Sequence, residues 1–424
     1  MVAALVALAL FAPRALTLED AVAIAQKQNS GVQVARAEAA RAETVNHQAM
    51  SLFLPQVDAR STMQWNDKKI SYPGFTAGSE FVLQPWWTLS WQVTASQNLS
   101  LYGPGLPLLR QAHAATRAAG ALSSEAKLEA GFATARAYYA ALEADSLSQL
   151  AEQSRGAANE LLRQTQGRRD AGRATEAEAL RAKLRVAESA QAAATAKRAA
   201  EEARETLADL LGERGPFVLS RPERPAAPVS VADEPATLAR RPDVAAAREA
   251  VTGATDARLA AARQYYPTLT VTGLYSGYTT SDGTLFGQAP SRLAVLGVAT
   301  VPIFDGNLKY WQLREKREAV HAAEARVGAT QAAAAADLRR ARRKVDAARE
   351  AETLSHERLA LAERTRELVS GQYSLGAATQ LELLDADAAQ SAVRREASQA
   401  ELEADLAVLD LRRAMGLPIT EARP

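Results

Sequence analysis

The 424-residue chain contains no cysteine. That excludes disulfides, thiolate metal sites, a cysteine nucleophile and the N-terminal cysteine on which a bacterial lipid anchor is built. Its four histidines (His47, His113, His321, His356) are scattered over predicted helices without paired ligand spacing, and Gly103-Pro104-Gly105 is a strand-to-helix turn rather than a phosphate loop. No catalytic centre, metal or cofactor is therefore expected, and the chain reads as a non-enzyme. Neither sign of charge is in excess: the net charge is +1, with acids and bases interleaved along the helices, which leaves no basic face for nucleic acid. Long apolar runs are missing too, which rules out a helical inner-membrane protein. Met1 to Ala12 is apolar but too short to span a bilayer, and looks like the h-region of a secretory signal ending near Ala12 or Ala15. Proline is absent from Leu108 to Gly215 and again from Ile303 to Leu417, each a stretch of about 110 residues free of the commonest helix breaker.

What is present comes twice, at an offset of roughly 204 to 212 residues. Each copy opens with an Ala-rich amphipathic segment and passes into a Pro-marked alternating segment, Leu54-Pro55-Gln56-Val57 or Tyr266-Pro267-Thr268-Leu269. A second alternating segment follows, ending in Leu101-Tyr102-Gly103 or Ile303-Phe304-Asp305-Gly306, and then a proline-free stretch broken near its middle by Gly167/Gly172 or Gly371/Gly376. The expected organisation is a signal remnant at 1–15, a first repeat at 16–214 with a hairpin over 57–101 and a helical turn at 167–175, and a Pro-rich linker at 215–235. A second repeat at 236–416, with a hairpin over 268–304 and a turn at 371–379, and a tail at 417–424 complete it.

The alternating segments have the period of strands with one wet face. Val57, Ala59, Met63 and Trp65 fall on one parity, against Asp58, Arg60, Thr62, Gln64 and Asn66 on the other, and Leu89 to Leu101 repeats the pattern. Strands of about 10 residues match a tilted crossing of an outer membrane. Leu269–Thr279 and Leu293–Ile303 alternate less cleanly, because Leu274, Leu296 and Val298 sit on the polar parity. Most aromatic residues lie in Phe53–Tyr102 and Tyr265–Trp311, as membrane-interface girdles require; Trp65, Trp86, Trp87, Trp91, Tyr275 and Tyr278 are the candidates. Four strands cannot close a barrel, and open edges in hydrocarbon cost several kcal/mol per unpaired group. Several chains must share one barrel, and three would supply about twelve strands.

The proline-free stretches read as long helices, Leu106–Asp170 and Leu308–Ser374, of about 65 residues and roughly 100 Å. The helices returning from the Gly breaks, Thr175–Leu211 and Thr379–Met415, are near 55 Å; Leu18–Leu52 and Pro235–Tyr265 add about 50 and 45 Å. Each short pair thus matches one long helix, with the linker at the junction. Leu128, Phe132, Ala135, Tyr139 and Leu142 follow coiled-coil spacing, and Leu354, Leu361, Leu368 and Leu375 recur every seventh residue as a scaffold seam. The fold class is mainly α with a membrane β-barrel.

With Arg240-Arg241-Pro242-Asp243-Val244, Tyr266-Pro267-Thr268-Leu269, Val301-Pro302-Ile303-Phe304-Asp305-Gly306 and the Leu-Gly turn followed by Thr and acidic-Leu positions, in duplicated order, the sequence resembles the TolC family of trimeric outer-membrane efflux channels. The resemblance covers nearly the whole chain. It implies a homotrimer with a shared 12-stranded barrel in outer-membrane lipid and an α-helical barrel in the periplasm. That trimer would serve as the exit duct of a tripartite efflux or type I secretion system and meet a periplasmic adaptor and an inner-membrane pump.

The resemblance also assigns residues. The turns around Gly172/Thr175 and Gly376/Thr379 become the periplasmic tip that docks the adaptor, and Glu382 and Asp385 become stacked acidic rings in the lumen whose mutual repulsion raises their pKa values. The family's latch joins a Tyr and an Arg at the second turn to an acid at the first. Tyr373 matches the Tyr and Glu178 the acid, but Ala378 occupies the Arg position, so a less firmly held aperture is expected. Two other readings stand beside the channel: a periplasmic adaptor, which would show one helical hairpin rather than two, and a structural periplasmic coiled coil, which the wet-faced strands oppose.

Overall fold

The structure is a computed structural model that describes residues 14–75, 78, 80–99, 102–212, 217–225, 234–282 and 291–419. Met1 to Ala12, part of the Pro-rich linker, most of the second surface loop and the end of the tail lie outside these residues. Eight strands and eight helices are described. The first half runs β1 (Arg14–Leu16), α1 (Leu18–Gln28), α2 (Ser30–Ser51), β2 (Gln56–Trp65), β3 (Ile70–Pro73), β4 (Glu80–Gln84), β5 (Trp87–Asn98), α3 (Gly105–Asp170) and α4 (Glu176–Leu211). After β6 (Phe217–Leu219) come α5 (Glu234–Ala239), α6 (Pro242–Arg263), β7 (Thr268–Thr280), β8 (Arg292–Thr300), α7 (Leu308–Ser374) and α8 (Gln380–Ala414). The fold is mostly helical, as the sequence predicts.

Contacts divide the chain into two compact units, each drawing segments from both repeats. One takes residues up to Ala37, Ala121–Ala245 and from Gly328 onward; the other takes Glu38–Gly120 and Ala246–Val327.

The first unit is built on alanine. Its larger cluster sets Phe132, Ala135, Tyr138 and Tyr139 of α3 against Leu18, Ala21, Val22 and Ala25 of α1, Leu207 and Leu211 of α4, and Leu409 of α8. A second cluster joins Leu338, Ala341 and Val345 of α7 to Ala407, Val408, Leu411 and Ala414 of α8. Small side chains let helix axes approach closely, so dispersion contacts do the work that bulky residues do in a globular core. The α3 seam is therefore buried as its spacing predicts. The α7 seam is not: Leu354, Leu361, Leu368 and Leu375 are 53, 70, 53 and 86% exposed. Heptad spacing identifies a seam without saying whether the partner helix belongs to the same chain, and within this chain these leucines are left exposed.

Two helices expected to be continuous are broken. Leu18–Leu52 divides at Asn29, whose backbone leaves the helix (φ −57°, ψ 131°) while its side chain accepts a 2.9 Å hydrogen bond from the Gly31 N–H. Pro235–Tyr265 divides before Pro242, because the residue preceding a proline disfavours helical backbone. That residue, Arg241, is buried. Its guanidinium donates to both carboxylate oxygens of Asp243 (3.0 and 2.7 Å) and to the Ala414 carbonyl at the end of α8 (3.3 Å). The Arg-Arg-Pro-Asp motif is thus a joint that caps a distant helix.

β1 and β6 pair in parallel, Ala15 opposite Val218. A signal cut after Ala15 falls inside this strand, whereas one after Ala12 leaves it whole. The Tyr138 hydroxyl lies 2.7 Å from the carbonyls of Leu16 and Ser220 and accepts from the Ser220 N–H at 3.1 Å, fastening both strands to α3. Tyr138→Phe strands these buried groups, so it is expected to lower unfolding free energy by about 1–3 kcal/mol. A urea melt of the detergent-solubilised protein followed by circular dichroism checks this; an unchanged midpoint would mean that the hydroxyl holds nothing together.

Candidate functional site

The second unit carries a four-stranded antiparallel sheet in the order β2-β5-β7-β8. Directly paired residues share a face, so register decides what each face is made of. Pairs such as Trp65↔Trp87, Met63↔Leu89, Val93↔Tyr275 and Tyr275↔Leu293 place every odd-numbered residue of the four strands on one side. That side bears Val57, Met63, Trp65, Trp91, Val93, Tyr275, Leu293 and Val295, and no charged residue. The other side bears Asp58, Arg60, Arg292 and a field of Thr, Ser and Gln. One sheet thus has a chargeless face and a wet face.

The aromatic candidates divide accordingly. Trp65 and Trp87 pair at one end of the sheet, Trp86 immediately precedes β5, and the rings of Trp91 and Tyr275 meet edge-on at 5.2 Å. Gly277 lies beneath Trp91: a Cβ there would stand 2.7 Å from the indole, so only glycine lets the ring lie across the neighbouring strand. Tyr278 requires correction. It pairs with Ser90 on the wet face, opposite to Trp91 and Tyr275, because it is one residue out of phase with the aromatic parity. The out-of-phase Leu274, Leu296 and Val298 also sit on the wet face, where Leu274 pairs with Ala294 in an apolar patch confined to β7 and β8. Between β2 and β5 the sequence suggests only a loop. The structure instead folds β3 on β4, with Tyr72 opposite Phe81 and Lys69 bridging Glu80 (3.0 Å) and Asp282 (2.9 Å).

The helical turns of the first unit are built alike. Gly172 (φ +68°) and Gly376 (φ +77°) take the left-handed conformation, and the amides of Arg173 and Ala377 bond back to the carbonyls of Arg168 (2.7 Å) and Gln372 (2.8 Å). Thr175 and Thr379 then cap the returning helices with reciprocal boxes, in which Glu178 accepts from the Thr175 N–H at 2.6 Å and Glu382 from the Thr379 N–H at 2.7 Å. Glu178 and Glu382 are therefore each engaged in their own turns.

The remaining expectations change with this. No hydrogen bond joins Tyr373 to Glu178 among the described residues; the Tyr373 ring instead lies under the Arg168 guanidinium, 4.9 Å from its centroid. Buried Gln380 adds a second link between the turns, donating to Thr165 at 3.3 Å. Neither contact is readable from the sequence, since both residues look like ordinary helix polar positions. Asp385 is exposed on the same face as Glu382. The Glu382 carboxyl is held below the usual glutamate range, by the Thr379 backbone first and its hydroxyl second, which is opposite to the direction expected of an acidic ring. A capping hydrogen bond within the chain acts at contact distance, whereas ring repulsion needs other copies.

A carboxyl with a depressed pKa stabilises the fold above its ordinary pKa, and that contribution disappears as pH falls through the depressed value. The Thr379 and Glu382 amides are thus expected to stay protected relative to their intrinsic exchange rates from neutral pH down through the ordinary glutamate range, and to lose that protection only below it. Thr379→Ala should accelerate their exchange roughly fivefold at neutral pH. Hydrogen-exchange mass spectrometry reads both; indifference of these amides to the substitution would show that the box does not order the turn.

The chain matches the family model of the outer membrane efflux protein over residues 21–213 and 235–417. No curated sequence is similar enough to match. Among solved structures, the chain is similar to CusC (17% identity, 94% of this chain and 92% of that one, TM-score 0.82). It is also similar to the Campylobacter jejuni outer-membrane channel CmeC (18%, 96% and 87%, 0.78) and to the open state of the Neisseria gonorrhoeae outer-membrane channel MtrE (21%, 95% and 89%, 0.79). These likenesses establish the fold, and the family match extends over both sequence repeats. The chain belongs to the outer membrane efflux protein family.

Proposed function

We propose that three copies of this chain form a channel that carries solutes across the outer membrane and part of the periplasm, as the exit duct of a tripartite efflux or type I secretion system. The observation that carries the reading is the sheet. Its chargeless face suits hydrocarbon, its polar face suits water, and its edge strands β2 and β8, of 10 and 9 residues, have no outer neighbour among the described residues. Hydrocarbon tolerates such edges only when they pair with another chain. Three copies closing edge to edge give about twelve strands, an even number within the range of such barrels.

The exposed leucines at positions 354, 361, 368 and 375 support the same assembly, since a seam of that spacing seeks a helix outside the chain. The two turns are the docking surface for a periplasmic adaptor, and Asp385, which takes no part in the capping box, is the acid of the aperture. Energy for export comes from an inner-membrane pump.

Heat-modifiable migration in the detergent-extracted outer-membrane fraction is the expected behaviour, and release by osmotic shock would refute the channel. Because the chain has no cysteine, Ala377→Cys supplies a unique crosslinking handle at the second turn. Its adducts in cells should contain a periplasmic adaptor; adducts with cytoplasmic proteins alone would place the turn in the wrong compartment.

A further inference from the structure

The wet face of the sheet holds one row in which every strand presents a hydrogen-bonding side chain. Arg60 of β2 is opposite Gln92 of β5, Gln92 is opposite Ser276 of β7, and Ser276 is opposite Arg292 of β8. Cations thus stand at both ends. Thr62, Ser90 and Tyr278 border the row on its next rung, and with it they line a concavity of about 590 Å³. Asp58, two residues from Arg60 and on the same face, is the one carboxylate among the described strand residues of this side, so the face keeps a net positive charge.

We infer that Arg60 and Arg292 make the barrel wall a binding band for small multivalent anions, selecting them over cations at the outward end of the pore. This rests on the channel reading, which turns the wet face toward the lumen. Three strand spacings separate the two arginines by about 14 Å along the row. A strand tilt near 40° converts that into a difference in level of about 9 Å along the barrel axis. Three-fold closure then gives one triad of Arg60 and another of Arg292 at different heights. Their separation is close to the Debye length of about 8 Å at physiological ionic strength, so the two potentials overlap, and low-dielectric walls concentrate them in the water between. Guanidinium groups also grip oxyanions in a fixed, two-pronged geometry that water does not match. The neutral donors between them, Gln92, Ser276, Ser90 and Tyr278, give a partly dehydrated anion further hydrogen bonds as it passes from one triad to the next.

The test is current block in planar bilayers with tripolyphosphate added on the barrel side. Block from that side is expected in the wild type, with the half-blocking concentration raised about tenfold in Arg60→Gln/Arg292→Gln, as loss of charge-assisted contacts predicts. Arg60→Lys/Arg292→Lys should retain most of the block, and the single Arg292→Gln should show a smaller shift in the same direction. Channels that are equally blocked before and after neutralisation, or not blocked in the wild type, overturn the arginine band and leave the duct intact. A wild-type chain that forms no channels at all overturns the duct itself and the band with it.

Discussion

A sheet with a chargeless face and two open edges sets requirements that its own chain cannot meet. Each unpaired N–H and C=O along β2 and β8 has water available in solution and nothing in hydrocarbon, where an unsatisfied backbone group costs several kcal/mol. On the channel reading, the chain therefore encodes a segment of wall, and closure would belong to the assembly. Parity gives the segment two sides, and Gly277 beneath Trp91 shows how closely the apolar side is packed across strands.

The helices meet a parallel requirement by other means. With alanine as the principal contact residue, the clusters around Tyr138 and Leu338 bury little apolar surface per turn. Ion pairs between helices, such as Arg204 with Asp145 (2.8 Å) and Lys344 with Asp410 (2.8 Å), are partly exposed and each contribute at most about 1 kcal/mol. The fixed points are fewer and more specific: the Tyr138 hydroxyl between two strands, and Arg241 between Asp243 and the end of α8. On the proposed assembly, burying the exposed leucine seam would tie the stability of the chain to assembly by mass action.

Periodicity made most of this legible in the sequence. Period-2 alternation located β2 and β5 and the face each side chain takes, proline-free length located α3 and α7, and Gly followed by Thr three residues later located both turns. What stayed illegible depends on register and on partners. Tyr278 is out of phase with Tyr275 in the same strand, and its pairing with Ser90 confirms that it joins the wet face. Arg60 and Arg292 are 232 positions apart in the numbering and meet in one row through two intermediate strands. The local role of Glu178 and Glu382 was overlooked for a simpler reason. Thr-x-x-Glu at the opening of a helix is the signature of a capping box, and both turns carry it.

Each helical turn is fixed three times over, by a left-handed glycine, by amides folded back onto the preceding helix and by a reciprocal Thr–Glu cap. Such an end has little compliance of its own. Force applied to such an end would not be dissipated in remaking the loop but would pass into the helices behind it. If the proposed docking takes place at these turns, each would act as a rigid handle, and any bending would have to occur away from the point of contact.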